Sequence, residues 1–418
     1  MRVFKFGGAS VKDVDSIKNL SSILKNQYVK NEDLVVVISA MGKMTNAFES
    51  LLFAYLEQSN EQELLFEEIK QFHLEIMNQL FSKDHKIYEE VSNHLVEIEW
   101  LLEEEVTREK EYYYGQMVSM GEILSTSIVA SFLNEEGHSA EWLDARGLIR
   151  TDNQYRSAKV DWSVTEELIN SQIKRDKNVI YITQGFIGGT SENFTTTLGR
   201  EGSDYSAAIF ASILDAKEVV IWKDVGGMYS ADPNVFPNAI KINHISFHEA
   251  IELAYYGASV IHPKTIKPLQ NKGIPLYVKS FLQPEMKGTI IDNDFTSDKL
   301  IPSFILKPSQ TLVSIAAKDF SFIVESQLKE IFNAFDDYGL TINLMQNSAI
   351  SFSVCLDALP ELNQLLNELR LKFKVSFNEG LSLLTIRHYN DEVIEELLLA
   401  KKVLLEQKTR TTARFVFK

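Results

Sequence analysis

Short apolar runs alternate with helical repeats along most of the chain. Val3–Phe6, Leu34–Ser39, Val179–Thr183, Glu218–Trp222 and Pro275–Val278 are bounded apolar runs that read as buried parallel strands. Between them, apolar residues recur at three- and four-residue steps. These predict helices over Val14–Leu24, Gln116–Leu133, Val164–Ile173, Ser206–Leu214 and Phe247–Tyr256. Such alternation predicts an α/β fold, a mainly parallel sheet covered by helices on both faces. Ligands of such sheets bind beyond the carboxyl ends of the strands. The residues after Phe6, Ile38, Thr183 and Trp222 are therefore the ones to read for chemistry.

Two regions break the alternation. No glycine or proline occurs from Lys43 to Tyr114, and all nine prolines lie at or after Pro233. Within that unpunctuated stretch Leu65, Ile69, Phe72, Ile76 and Leu80 predict one amphipathic helix, and Tyr88, Val91, Leu95, Ile98 and Leu102 another. The expected pair packs on its own domain, with polar joints near Asn60 and Ser82–Lys86. After about residue 300 the order becomes strand-helix-strand-strand-helix-strand: Thr311–Ala317, Ser326–Tyr338, Thr341–Met345, Ile350–Leu356, Leu362–Leu371 and Phe373–Phe377. That is the ferredoxin-like α+β unit. Leu381–Arg387, a helix over Asp391–Glu406 and Thr412–Phe417 begin a second copy, which Ile301–Leu306 is free to complete. The expected domains are 1–295, with a helical insert at about 57–112, and 296–418. The latter holds one full unit (309–380) and a shortened one (299–308 plus 381–418).

Composition narrows the class. An apolar fraction of 45% with 24% charged residues fits a soluble globular chain and not a disordered or collagen-like one. No run approaches the ~18 uninterrupted apolar residues of a membrane span. The start, Met-Arg-Val-Phe-Lys-Phe-Gly-Gly, shows no basic segment before an apolar run, so no signal peptide is expected. Cys355 is the only cysteine, which excludes a disulfide scaffold or cysteine zinc site and makes a reducing cytoplasm the expected location. Cys355, in Ser-Val-Cys-Leu, reads as a core thiol. A net charge of −16 argues against a nucleic-acid surface. Residues 57–111 carry 16 acidic and five basic side chains, a solvated helical face.

Five segments bear chemistry. The first strand runs into Lys5-Phe6-Gly7-Gly8-Ala9-Ser10, where amides and a cation can approach an anion. It matches neither the Walker nor the dinucleotide glycine pattern, and a tight turn is the plain alternative. The second strand ends in Ser39-Ala40-Met41-Gly42 and Thr45-Asn46, hydroxyls suited to a small polar ligand or to capping. Thr195–Asp204 leads into the helix after it. Ser203 or Asp204 is expected to cap that helix, and Arg200 offers a planar fork for a carboxylate or phosphate. Glu122, in Ser119-Met120-Gly121-Glu122, reads on base rates as an ordinary exposed helix residue. Lys223–Pro233 is an acidic, glycine-bent loop, a turn or a nucleotide contact. His244 and His248 have i, i+4 spacing but lack the third ligand of a zinc site, so no metal is expected from them.

In this order Lys5–Ser10, Ser39–Asn46, Ser119–Glu122, Thr183–Phe186, Thr196–Asp204, Asp224–Pro233 and Ala254–Ala258 with His262-Pro263 resemble the aspartate kinases, a branch of the amino-acid kinase family. The tail resembles that family's ACT regulatory modules. The insert resembles the branch with lysine-sensitive and bifunctional members, and with no dehydrogenase following, a monofunctional enzyme is implied.

The resemblance implies γ-phosphoryl transfer from ATP, with Mg²⁺, to the β-carboxylate of L-aspartate, the first step toward lysine, threonine and methionine. It assigns Lys5 and Asp204 to catalysis. Lys5, Gly7, Gly8, Ser10, Asp224, Tyr229, Asp232 and Lys264 would hold the nucleotide. Ser39, Thr45, Glu122, Arg200 and Ser203 would hold aspartate, Arg200 on a carboxylate and Glu122 on the α-ammonium. An effector, lysine before threonine, would bind near Lys318–Glu325 and Met345–Ser348. Unpaired strand edges in the tail imply a homodimer.

Three positions depart from the family. Glu201 stands at a usual glycine, bringing negative charge to an anion site unless it points outward. Asn234 replaces an arginine and Ser259 a lysine, for which Lys264 could substitute. The competing readings are another amino-acid kinase (of glutamate, acetylglutamate or UMP), which would lack the tail, and a sensing subunit with a dead kinase site.

Overall fold

The computed structural model describes residues 1–27, 32–175, 178–258, 261–299, 301–319 and 321–418. Ser259 lies outside the described residues. The chain forms two compact units. The first comprises 1–228, 241–251 and 260–295, and the second 229–240, 252–259 and 296–418.

The first unit is built on an eight-stranded sheet. Its strands are β1 (Arg2–Phe6), β2 (Leu34–Ile38), β3 (Ala140–Leu143), β4 (Ile180–Gln184), β7 (Val219–Lys223), β10 (His244–Ser246), β11 (Leu276–Ser280) and β12 (Thr289–Asp292), in the order β10-β12-β11-β7-β1-β2-β4-β3. The six strands from β11 to β3 are parallel, and β12 is antiparallel to β11. Two short pairs complete the strands: the hairpin β5 (Ile187–Gly189) with β6 (Thr195–Thr197), and β8 (Met228–Tyr229) with β9 (Lys241–Ile242).

The central strands are uninterrupted apolar runs because both faces are covered. Every residue of β2 and β4 is buried. β3 escaped the sequence pattern because it is an edge strand, with Glu141 exposed and only Leu143 fully buried.

Helices α1 (Val14–Gln27), α2 (Met44–Leu56), α5 (Lys110–Val118), α6 (Met120–Glu135), α7 (Trp162–Gln172), α8 (Gly202–Ile213), α9 (Phe247–Tyr256) and α10 (Pro263–Lys272) follow or connect the strands. The inserted pair is α3 (Gln62–Leu80) and α4 (Ile87–Glu103). Ile69, Ile76, Val91, Leu95 and Ile98 of that pair join the same buried cluster as Phe4, Val36 and Phe48. By length and composition Lys110–Glu135 could cross a membrane, but 89% of its apolar window is buried in this core.

The second unit is a six-stranded antiparallel sheet with helices α11 (Glu325–Asp337), α12 (Leu362–Lys372) and α13 (Asp391–Leu398). Its strands are β13 (Ser303–Ala317), β14 (Ile342–Asn347), β15 (Ser351–Asp357), β16 (Phe373–Arg387), β17 (Val403–Lys408) and β18 (Thr412–Phe417), in the order β14-β15-β13-β16-β18-β17. Two strands are twice the expected length. β13 and β16 each run for 15 residues and pair from Ser303↔Arg387 to Ala317↔Phe373, with register shifts near Gln310. One half of each serves the first ferredoxin-like order and the other half the second, which has one helix instead of two.

The helix expected over Asp391–Glu406 ends at Leu398. Ala400 takes a left-handed conformation (φ 61°), and Val403–Lys408 then pairs with β18. An edge strand with mostly exposed side chains carries no alternating signal, so its leucines read as more helix. The sheet is curled until its edges touch. Gln407 Nε2 donates to the Met345 carbonyl at 3.3 Å, and Arg414 Nη2 to the Asn343 carbonyl at 2.6 Å. Cys355 is buried inside the curl with Leu312, Leu344, Leu381, Leu383 and Val416.

Candidate active site

The carboxyl ends of β1, β2 and β7 converge with the start of α8 on one open cavity of about 570 Å³ in the first unit. Lys5, Ser39, Thr45, Glu122, Arg200, Ser203 and Asp204 all line it.

Lys5, 8% exposed, is the penultimate residue of β1 and pairs with Asp204 at 2.7 Å, and Lys223 at the end of β7 meets the other Asp204 oxygen at 3.5 Å. Burial pushes the Asp204 carboxyl up, but the two ammonium groups outweigh it and hold the group below the usual carboxylate range. Asp204 is thus a fixed anion that orients two cations at the cavity wall.

Glu122 is the opposite case and not the exposed glutamate expected from base rates. It is 2% exposed, and burial pushes it up to about 8, against the weaker pull of the Ala40 amide and the Lys5 charge. Oε1 accepts from the Ala40 N–H at 3.4 Å, and Oε2 is buried without a hydrogen-bond partner. A buried carboxylate oxygen facing a cavity suits a cation brought by a ligand.

The helix start differs from the expected cap. α8 begins at Gly202, with Glu201 at the cap position in a left-handed conformation (φ 52°) and no side-chain capping bond. Ser203 and Asp204 are in the first turn, where their side chains face the cavity instead. Glu201 does not point outward: it lines the cavity, with Oε2 buried and unpartnered. Gly199 (φ 76°) is needed where it stands, because a Cβ there would lie 2.4 Å from the Ser157 hydroxyl.

Arg156 and Ser157, in that overlying loop, also line the cavity, as do Tyr114, Phe186 and Lys223. Arg156 sits 4.4 Å from the Tyr114 ring centre. Sequence reasoning missed these. Arg156 falls in an irregular polar stretch with no motif, and Lys223 reads in sequence only as the start of a loop.

The remaining candidates lie elsewhere. Gly7 adjoins Lys5, whose Nζ would be 3.4 Å from a Cβ added there. Gly8 is required by backbone crossing, since a Cβ would meet the Ala40 and Gly42 carbonyls at 2.8 Å. Ser10 is buried, and neither it nor Asp224 lines the cavity. Lys264 Nζ donates to the Leu198 carbonyl at 2.9 Å and sits 4.7 Å over the Tyr205 ring, bracing the Arg200 loop. Tyr229 and Asp232 fall in the second unit, where Asp232 accepts from the Asn234 amide at 2.9 Å and side chain at 3.0 Å.

His244 and His248 do not share a helix. His244 is in β10 and pairs with Asp292 at 2.9 Å, while His248 is in α9. Among the described residues no three His, Cys, Asp or Glu side chains cluster as a metal cage.

A cavity at the ends of parallel strands, walled by two lysines that share one aspartate and by an exposed arginine fork, defines a class of enzymes that bring two anions together. Residues 1–280 match the model of the Amino acid kinase family, and the chain belongs to that family, among its aspartokinases. It is 33% identical over 396 residues to lysine-sensitive aspartokinase 3 of Escherichia coli (strain K12), a match covering 92% of this chain and 86% of the relative. It is 31% identical to chloroplastic aspartokinase 2 of Arabidopsis thaliana, over 88% of this chain and 69% of that one. The crystal structure of E. coli aspartokinase III in complex with aspartate and ADP superposes with a TM-score of 0.82 at 29% identity, covering 100% of this chain and 96% of that one. The same enzyme with lysine and aspartate gives a TM-score of 0.83 at 30% identity, covering 100% and 95%.

Proposed function

We propose that this chain transfers the γ-phosphoryl group of MgATP to the β-carboxylate of L-aspartate, giving 4-phospho-L-aspartate and ADP. The observation that carries the reading is the Lys5–Asp204–Lys223 cluster, Lys5 and Asp204 buried and Lys223 partly exposed, sharing one cavity with Glu122 and Arg200. An aspartate β-carboxyl, with a pKa of ~3.9, is already ionised at neutral pH, so no general base is needed. The work is to hold two anions in line and to neutralise the charge that spreads over the moving phosphoryl group.

Lys5 and Lys223 supply positive charge at the strand ends, and Asp204 fixes their direction. Arg200 takes one aspartate carboxylate and Glu122 the α-ammonium, with Ser39, Thr45 and Ser203 donating hydroxyls. The Gly7–Gly8 turn, Ser10, Asp224 and Lys264 are the proposed nucleotide side within the first unit. Mg²⁺ arrives on the nucleotide, since it keeps phosphate oxygens and water as ligands beside at most one or two carboxylates.

The test is ATP, Mg²⁺ and L-aspartate with hydroxylamine trapping of the acyl phosphate, run beside glutamate and acetylglutamate, with ADP release followed when UMP is the acceptor because UDP gives no hydroxamate. Hydroxamate with aspartate alone is expected. Turnover of another acceptor, or of none, overturns the assignment.

The crystallised E. coli relative was captured with lysine, and we extend that effector to this chain as a homodimer regulated through its tail. Asp319, whose carboxyl is held low by the Ser321 hydroxyl and amide, and Glu325 can face an ammonium near the start of α11. Effector coupling is reciprocal and commonly ~1–3 kcal/mol. Lysine should therefore weaken aspartate binding, and aspartate should weaken lysine binding by the same factor. No change in either affinity would remove the tail from control by lysine.

A further inference from the structure

We propose that the second unit carries a binding site for a small organic carboxylate with an apolar body, centred on Arg414 and bordering the proposed lysine region only at Met345. A cavity of about 360 Å³ opens where the two edges of the curled sheet approach. That volume lies in the range of small-molecule sites. Arg414, Gln407, Thr409, Tyr255, Tyr256 and Met345 are among the residues that line it.

Arg414 is 8% exposed. Its Nη2 donates to the Asn343 carbonyl at 2.6 Å, its Nε to the Thr385 hydroxyl at 3.3 Å, and its guanidinium sits 5.0 Å from the Tyr256 ring centre. Every one of these partners is neutral. Among the described residues no carboxylate lies within ion-pair distance of Arg414.

Its neighbour on the adjacent strand shows the ordinary arrangement. Arg387, equally buried, is held by Glu252 at 3.1 Å and the Thr412 hydroxyl at 2.7 Å. Burying a cation without a counter-charge is expensive, and an arginine fork matches a carboxylate. An uncompensated guanidinium on the wall of a cavity is therefore a receptor for an anion.

The rest of the lining sets the ligand class. Tyr255, Tyr256, Phe332, Ile342 and Leu344 give it apolar and aromatic walls. Among the described residues no Asp or Glu lines the cavity, so the ammonium groups of lysine would find no counter-charge there. Asp319 and Glu325, which face the proposed lysine region, are not part of it.

The experiment titrates the full chain calorimetrically with indole-3-acetate, its neutral analogue indole-3-acetamide, lysine and inorganic phosphate. The carboxylate should bind at least tenfold more tightly than the amide and than phosphate. Gln407 lies directly opposite Arg414 in the β17–β18 register. Gln407→Glu therefore installs the missing counter-charge, and should weaken indole-3-acetate at least tenfold. Arg414→Gln should abolish it; because that variant removes packing as well as charge, the isosteric Gln407→Glu decides if Arg414→Gln misfolds. Equal affinity for acid and amide, no binding at millimolar concentration, or full affinity in Gln407→Glu each overturns the proposal.

Discussion

The two units bury charge in opposite ways. In the first, buried Asp204 lies between two lysines, Lys5 buried and Lys223 partly exposed, with Glu122 and Glu201 left facing a cavity that also holds Arg156 and Arg200. In the second, Arg387 is compensated and Arg414 is not, and among the described residues no acid faces the cavity. A cavity of mixed sign suits a zwitterion with an extra anion, as aspartate is. A cavity of one sign suits a simple anion. In both units it is the uncompensated group, not the ion pair, that says what is missing.

The largest expected effect breaks the compensated set. Lys5→Ala should lower kcat by ~10²–10³ while changing KM for aspartate far less, the signature of a charge needed mainly in the transition state. Steady-state kinetics on the hydroxamate assay test this. Near-normal kcat with a raised KM would make Lys5 a binding residue only.

Next is the exposed fork. Arg200→Lys keeps the charge but loses planar bidentate geometry, a difference of ~1.5–3 kcal/mol for a charge-assisted contact. Aspartate affinity should fall ~10–150-fold with nucleotide affinity nearly intact. A calorimetric loss on the ATP side alone would move Arg200 to the nucleotide.

What was legible in the sequence follows the same division. The central strands of the first unit could be read because burial on both faces makes them continuous apolar runs, and their ends pointed to Lys5, Ser39 and Arg200. β3 could not, being a half-exposed edge. In the second unit β13 and β16 serve two modules at once, so no local pattern marks where one module stops, and the leucines of β17 carry a helical pattern. Glu122 was placed by resemblance, but its burial depends on the packing of α6 against the β2 loop, which helix periodicity does not reveal. Arg156, carried by an irregular loop, left no trace in the pattern.

Glu122 gives a pH test of the mixed-sign cavity. Its folded value lies near 8 against an ordinary 4.5, so the folded protein holds a proton there that the unfolded chain releases. Stability from this group is then fully present at low pH and is lost as pH rises toward 8. A ligand ammonium wants the ionised form. Aspartate binding should therefore expel a proton below pH 8 and strengthen up to tenfold per pH unit between pH 6 and 8. Calorimetry in buffers of different ionisation enthalpy reads that proton directly. Glu122→Gln should bind aspartate weakly with no pH slope, and a buffer-independent enthalpy in the unmodified chain would separate Glu122 from the ammonium.

The smallest expected effect concerns Glu201, which combines two costs at one position. A non-glycine residue in the left-handed region is strained by ~1 kcal/mol, and its carboxylate adds negative charge to a cavity proposed to hold two anions. Two substitutions separate these costs. Glu201→Gln removes the charge and keeps the strain, so it should lower KM for aspartate several-fold with little change in stability. Glu201→Gly removes both, and should match the glutamine variant in KM while its unfolding midpoint in urea moves up by the equivalent of ~0.5–1 kcal/mol, part of the strain relief being offset by the greater freedom of glycine in the unfolded chain. If both variants bind aspartate less well, Glu201 is a ligand contact instead, and the cavity counts a second carboxylate, beside Glu122, toward the substrate's ammonium.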